Sequence, residues 1–562
     1  MKKVNDIFGA LNGSVTDPRT RRYITPTRIL YTAGDVSGTE ALLEECPNQV
    51  TFHPSSACVM KNEAGKPNAA ILIDFGIEFA GCLRLVVSRG ATGGLNKANL
   101  RVRFGESVME AMTPITVKNT TNDHATRDFV MTVSGMSANE TNESGFRFAY
   151  IELLDEDATL ILLGIKGVFC YRDLEYKGSF ECNDERLNKI WNTAAYTVHL
   201  NMQEYLWDGI KRDRLVWIGD MHTEVQTILA VFGDQDIVRK SLDLTRDDTP
   251  VELWMNNIPT YSLWWLFIHH DLMRQVGDIE YLKEQKEYMV ALVKRILPLV
   301  NDEGSECLPE RRFLDWPNNE NPAAEHAGLH AILKMTFERC ADMLKVLDEE
   351  ELALECEAAA KRMYNHIPDC NGSKQAAAAL ALSGIEDAKK LNDELISVGG
   401  GKGYSTFFGY YILAAKAMAG DFVGALNDIR EYWGAMLDMG ATTFWEDFNL
   451  DWLENSAPID EFVPEGKNDI HGDFGAYCYK NFRHSLCHGW ASGPCPYMMH
   501  YVLGIRAVDA NTYIVDPELA DLKWAKGTYP TAKGLIEVSA EKTEEGTLVS
   551  VSAPKGIKII QK

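Results

Sequence analysis

The chain has 562 residues, a formal net charge of −25 and a sequence pI near 5.0, and 46% of its residues are hydrophobic. At about 100–200 residues per domain this length calls for more than one domain, and the apolar fraction excludes a wholly disordered chain. The acid excess argues against nucleic acid and anionic membrane surfaces as partners, since both select basic faces; it suits a neutral substrate such as a sugar, or simply a solvated surface.

The segment Met1 to Asp17 carries two lysines, but Asp6, Asn12 and Asp17 interrupt it, leaving no apolar stretch of signal-peptide length. No run of about 18 apolar residues follows, so no membrane helix is expected. The twelve cysteines are scattered without a CxxC pair, and Cys478, Cys487 and Cys495 lack metal-finger spacing. These features predict reduced thiols and a cytoplasmic location.

Residues 1 to about 170 read as β. Ala70–Phe75 and Leu83–Val87 are short β-rich runs, and Leu100-Arg101-Val102-Arg103-Phe104 alternates apolar and basic as a half-buried strand does. Thr159 to Tyr171 continues the pattern, and many short strands with turn signals suggest a sandwich. From about Asp184 helical spacing takes over: 184–201, 223–232, 260–276, 279–299, 322–347, 349–364, 374–382 and 406–419, with Asp184 and Thr406 as N-caps. Ten to twelve helices over about 320 residues fit an α/α toroid. The Gly399–Gly403 stretch lacks Walker spacing and reads as a plain flexible connection. After about Val508 β texture returns in Gly534–Val538, Thr547–Val551 and Gly556–Ile560. The expected domains are therefore 1–175, an N-terminal β-sandwich; 176–508, a helical catalytic domain; and 509–562, a small C-terminal β-sandwich.

Chemistry concentrates in Trp207 to Asp220, where Asp208, Asp213 and Asp220, the cations Lys211, Arg212 and Arg214, and Trp207 and Trp217 fall within fourteen residues. A core helix would not hold so many charges, and a surface helix would not need the tryptophans. Carboxylates beside tryptophan suit sugars: the ring stacks on the apolar sugar face while carboxylates accept from hydroxyls. The plainer alternative is a salt-bridged loop, Asp208 and Asp220 clamped by Arg212 and Arg214. A second cluster, Gly440 to Phe448, places Glu446 after Phe444-Trp445. A third, Arg483 to Pro494, sets His488 among small residues and Trp490, and Asp315-Trp316 forms another acid–aromatic pair.

On these motifs the chain resembles the α-L-rhamnosidases of glycoside hydrolase family seventy-eight. The family signature Asp-x-x-x-Arg-(Asp/Glu)-x-x-x-Trp-x-Gly-Asp is matched by Asp208, Arg212, Asp213, Trp217, Gly219 and Asp220, and Gly-Ala-Thr-Thr-x-Trp-Glu is matched through Glu446. Asp74–Glu78 with Gly81, Phe104–Ser107 and Gly145–Phe148 resemble the family's preceding β-domain, so the likeness covers most of the chain. It implies a multidomain fold, an (α/α)6 six-hairpin toroid flanked by N- and C-terminal β-sandwich domains, and an inverting mechanism. The sequence departs from the pattern at Asp213, where members often carry Glu; Asp is shorter by roughly one C–C bond, about 1.5 Å.

The resemblance assigns Asp213 as general acid and Glu446 as general base, with Asp208, Arg212, Trp217, Asp220, Asp315, Trp316, Trp445 and His488 binding substrate. Trp217, Trp316 and Trp445 are expected as apolar walls. Arg212 and Arg214 oppose a raised pKa at Asp213 unless their guanidinium groups point at Asp208 and Asp220, which would then stay ionised. No cofactor or metal is called for. The expected partner is a small oligosaccharide or glycoside, not nucleic acid or membrane, and homo-oligomerisation is left open. Two alternatives stand: another glycosidase on the same barrel, and a carbohydrate-binding protein that has lost catalysis, for which Asp213 is the motive.

Overall fold

The computed structural model describes residues 7–91, 96–309 and 311–561; Lys2, Lys3 and Asp6, on which the reading of the N-terminal segment rests, lie outside them. Ten strands between Thr20 and Tyr171 form one hydrogen-bonded sheet. Its spine is the strand Ala70–Ala91, which changes neighbours along its length. Ala70–Asp74 runs between Arg28–Ala33 and Ser144–Leu153, and its later residues run between Ser137–Glu140 and Thr159–Tyr171. The register breaks between Asp74 and Phe79, where Gly76 takes a φ of +78° that a β-carbon would strain and crowd against Thr27. Phe79, Phe104 and Phe146 fill the space behind this break, with Phe104 and Phe146 stacked at 4.0 Å.

Helices follow: Glu185–Asn201, Ile218–Val231, Asp236–Asp248, Pro259–Gln275, Lys286–Ile296, Pro322–Val346, Glu350–Arg362, Lys374–Ser383 and Gly409–Met418. They surround a single apolar core that contains Trp264, Trp265 and Trp433. Asp184 does cap the first of them, accepting from the amides of Arg186 and Leu187. Three expectations need correction. The helix expected over 223–232 starts five residues earlier, because the Ile218 amide is satisfied by Asn256 Oδ1 at 3.0 Å, a cap supplied by a distant loop. Thr406 is no N-cap: its Oγ1 donates to the Glu446 carbonyl at 2.6 Å, and Ser405 Oγ accepts from the Phe408 amide. The helix expected over 279–299 is interrupted at buried Gln285, which donates to Asp243, and it tightens at Pro298, which has no N–H to give.

The Gly399–Gly403 connection is tied to its surroundings at two points. Lys374 Nζ donates to the Gly400 carbonyl at 2.7 Å, and the Gly401 amide donates to Glu431 at 3.0 Å. At the C-terminal end, Trp524–Thr531, Gly534–Thr543 and Gly546–Ser552 form a sheet whose fourth strand is Ser179–Cys182, from just after the N-terminal sheet. Ile505–Asp509, Thr512–Val515 and Lys558–Gln561 make a three-stranded sheet. Both sheets thus draw strands from across the expected domain limits. The N-terminal sheet is pinned to the helical region: Arg147 bonds Asp74 at 2.8 Å and the Gly440 carbonyl at 3.0 Å, and Arg28 reaches Asp460 at 2.9 Å. Among the described residues no helix is long and apolar enough to cross a membrane.

Candidate active site

The loop 207–217 is shaped by its own aspartate. The Asp208 amide donates to the Leu215 carbonyl at 3.1 Å, and Asp208 Oδ1 accepts from the Leu215 amide at 3.0 Å. Gly209 pairs with His488, and the Gly489 amide donates to the Asp208 carbonyl, so the first and third sequence clusters meet through backbone. Gly489 must be glycine: a β-carbon would fall 1.7 Å from Glu224 Oε1. At the tip, Asp213 and Arg214 hold φ values of +51° and +55°, left-handed backbone that side chains populate only when their surroundings enforce it. The N-terminal region does so. The Asp213 amide donates to the Asp123 carbonyl at 3.0 Å, and Arg214 Nη1 donates to the Glu143 carbonyl at 3.2 Å.

Glu446 arrives from the other side, its amide bonded to the Ser485 carbonyl at 3.0 Å and its Oε2 accepting from the Ser485 amide at 3.2 Å. One guanidinium then spans two of the predicted residues: Arg212 Nη2 donates to Glu446 Oε1 at 2.7 Å and Nη1 to Asp213 Oδ2 at 3.3 Å, while the cation lies 4.8 Å from the Tyr479 ring centre. His488 Nε2 stands 3.4 Å from Glu446, 3.6 Å from Asp220 and 3.8 Å from Asp208.

This arrangement overturns the expected division of charge. Neither arginine points at Asp208 or Asp220: Arg212 serves Glu446 and Asp213, and Arg214 serves carbonyls and the Trp207 ring. With no guanidinium beside it, burial pushes the Asp208 carboxyl well above the usual range, reinforced by Asp220. Burial likewise carries Asp220 up to about 7 against the pull of His488 and the Tyr261 hydroxyl, which donates to it at 3.2 Å. Burial would raise Glu446 too, but Arg212 and His488 outweigh it and hold the carboxyl well below its ordinary value. Asp213 is raised by burial, opposed by Arg212 and aided by the nearby Glu446 charge.

The aromatic residues divide. Trp217 precedes the helix carrying Asp220 and meets Tyr261 edge-on. Half-buried Trp316 donates to the Tyr479 hydroxyl at 2.6 Å and stacks on Tyr477. Trp445 is fully buried and lies edge-on to Phe448 and His484. Asp315 is also committed elsewhere, accepting from Ser405 Oγ and from the Trp316 amide at 2.7 Å, and buried enough to titrate near 7.

Several residues escaped the sequence reading. Asp123 and His124 approach from the N-terminal region, Asp123 Oδ2 3.7 Å from Arg212 and His124 Nδ1 3.7 Å from Asp213. Glu224, fully buried one turn beyond Asp220, bears a carboxyl that burial raises well above the usual range. Its i,i+4 spacing from Asp220 was a usable signal; nothing local marked Asp123 or Tyr479. Glu106, Glu110 and His471 lie close enough to hold a cation, but Lys211 Nζ already stands 3.2 and 2.9 Å from the two carboxylates. Both His471 nitrogens are spent as well, on Ser107 Oγ and the His484 carbonyl.

Residues 175–369 match the model of the bacterial alpha-L-rhamnosidase 6 hairpin glycosidase domain. An alpha-L-rhamnosidase of Formosa agariphila is 31% identical over 101 residues, covering 18% of this chain and 10% of that protein. The rhamnosidase structure from Bacillus sp. GL1 superposes with a TM-score of 0.75 at 20% identity, covering 93% of this chain and 55% of its own. A Klebsiella oxytoca rhamnosidase with rhamnose bound gives 0.66 at 19% identity, with 86% and 96% covered. The chain thus spans about half of the Bacillus structure and matches a tenth of the Formosa protein, while at these identities the superpositions speak for the fold alone. Over residues 175–369 the chain is thus similar to the six-hairpin glycosidase domain of the bacterial alpha-L-rhamnosidases.

Proposed function

We propose that the chain is a glycoside hydrolase that removes terminal α-L-rhamnosyl residues by an inverting general acid/base mechanism. The observation that carries this reading is Arg212, whose guanidinium touches Asp213 and Glu446 at once. It gathers two carboxyls of opposite tendency, one raised and one depressed, at a single point. Two such groups flanking the bond, protonated and ionised respectively, are what inversion requires. Asp213 protonates the leaving oxygen, and Glu446 takes a proton from the attacking water. His488, Asp208, Asp220 and Arg212 hold the sugar hydroxyls, and Trp217 and Trp316 cover its apolar face, including the 6-methyl. Asp315 and Trp445 stand one layer back.

The helices are proposed to form an (α/α)6 toroid, in line with the matched domain, between an N-terminal β-domain and a C-terminal one that Ser179–Cys182 and Ile505–Asp509 help to build. The twelve cysteines are all unpaired, which supports a reducing, cytoplasmic setting. The deciding assay is hydrolysis across a panel of nitrophenyl glycosides, α-L-rhamnoside first, with the product anomer followed by NMR. Turnover giving β-rhamnose first, and lost about 10²–10⁴-fold in Glu446→Gln, supports the reading. Retained kcat in that variant removes Glu446 as base, an α-product removes inversion, and sugar binding without turnover makes the protein a binder.

A further inference from the structure

Three imidazoles that the proposed mechanism does not use gather where the helices Pro322–Val346 and Glu350–Arg362 pack together. His326 and His330 stand four residues apart on the first helix and so share one of its faces. His366 follows the turn Met363–Asn365 that closes the second. The centre of the His366 ring is 5.3 Å from each of the other two, which are 6.2 Å apart. We propose that these three histidines bind a divalent late transition-metal ion of the zinc class, and that the ion fastens the two helices to each other.

The hydrogen bonds decide which nitrogens are available. Glu306 accepts from the Leu308 amide at 2.7 Å and pairs with Arg312, so it is an ionised acceptor. His326 Nδ1 meets it at 2.6 Å and therefore carries a proton. His326 Nε2 in turn lies 3.0 Å from His366 Nε2. Two bare lone pairs would repel at that distance, so a proton or a metal ion belongs between them. His330 settles which. Its Nε2 donates to the Met363 carbonyl at 3.2 Å, which leaves the buried Nδ1 as a lone pair without a partner among the described residues. A shared proton leaves that costly orphan in place, whereas an ion engages all three rings. The outer contacts follow the same logic: a metal-bound imidazole donates its other N–H to a carboxylate or a backbone carbonyl, as His326 does to Glu306 and His330 to Met363. With Zn–N bonds of about 2.0–2.1 Å, the 3.0 Å separation fits two nitrogens on one ion at roughly 90–100°. Rings around a tetrahedral zinc have centres about 5 Å apart, so His330 closes on His326 by about 1 Å when the ion binds. The His326 side chain is 30% exposed, which gives the ion a way in. Imidazole nitrogen selects zinc, nickel or copper and not the oxygen-seeking calcium or magnesium.

The test strips the full chain with EDTA and titrates it with zinc chloride by calorimetry. One Zn²⁺ per chain is expected, with a dissociation constant on the order of micromolar or tighter, and Tm should rise as the ion is added. His366→Gln, at a half-buried position beyond the helix, should weaken binding at least about 10-fold and cancel the rise, while its metal-free Tm stays close to that of the wild type. Cys307→Ser, which removes the exposed thiol beside Glu306, should bind as the wild type does. X-ray absorption at the zinc edge of the wild type needs no variant: it should show imidazole nitrogen around the ion and no sulfur. No uptake of zinc, binding undiminished in His366→Gln, or sulfur among the ligands would each overturn the site.

Discussion

A single arginine touches two acids for which different tasks are proposed. Arg212 lowers both Glu446 and Asp213, but Asp213 is raised by burial that Arg212 does not overcome, while Glu446 also has His488. On the proposed roles, Glu446 is ionised at ordinary pH values in the wild type, and titration of Asp213 sets the upper limb of the kcat/KM profile. In Arg212→Gln both carboxyls titrate higher, so an acid limb should enter the measurable range and the alkaline limb should move up; kcat/KM should fall about 10²–10³-fold, as when a stabilising donor is lost. A profile of unchanged shape would mean that Arg212 does not govern these groups. Asp220 carries the opposite sign. Its folded pKa of about 7 exceeds its value of 3.8 when unfolded, so it favours folding fully below pH 3.8, and that contribution is lost as pH rises to 7. Asp220→Asn should therefore raise Tm by about 1–3 °C at pH 8 and by less at pH 5, while activity collapses. A gain independent of pH would point to some other cause than the buried charge.

At the scale of elements, the loop 207–217 is rigid because others hold it. Lys211 is 1% exposed and donates to the carbonyls of Phe482 and His484 at 2.6 and 2.7 Å. Glu106, one of its two carboxylate partners, also accepts from the Leu486 amide at 2.6 Å. One buried charge cluster thus joins the segment bearing Asp213 to the segment bearing His488. Lys211→Met leaves buried Glu106 without its cation and Glu110 with Arg127 alone, at 3.7 Å, and should cost about 3–5 kcal/mol, measurable as a lowered midpoint in urea; an unchanged midpoint would show the cluster to be dispensable. This scale also shows what the sequence can and cannot disclose. Alternation at Leu100–Phe104 and the apolar spacing at Lys374–Leu382 mapped directly onto strand and helix, because burial of one face is a local pattern. Asp236–Asp248 passed unnoticed although its buried residues Ile237, Val238, Ser241, Leu242 and Thr245 follow helical spacing. The start of Ile218–Val231 depends on Asn256, far along the chain. The carboxylates themselves were legible from composition and motif, but which one Arg212 would choose was not, since that is decided by how three distant segments converge.

For the whole molecule, loops of the N-terminal region form part of the candidate site. Asp123, His124 and Glu143 shape and flank the Asp213 turn, and Arg483 binds the Asp123 carboxylate. A chain truncated to residues 176–562 should lose activity altogether and bind ANS where Ile210 and Lys211 become uncovered; a truncated form with wild-type kcat would contradict this. Net charge of −25 gives the surface a long-range field that disfavours anionic glycosides before any contact is made.

The strand Ser179–Cys182 has its partner at Trp524–Thr531, roughly 340 residues later, and this orders events during synthesis. At about 5–20 residues per second, the early strand leaves the ribosome on the order of tens of seconds before its mate exists. Throughout that interval the helical region has one end unfastened, and Phe180 and Cys182, buried in the finished protein, face the cell. The strand that closes this sheet is therefore made only after all the helices that lie between the two partners, and those helices wait for it.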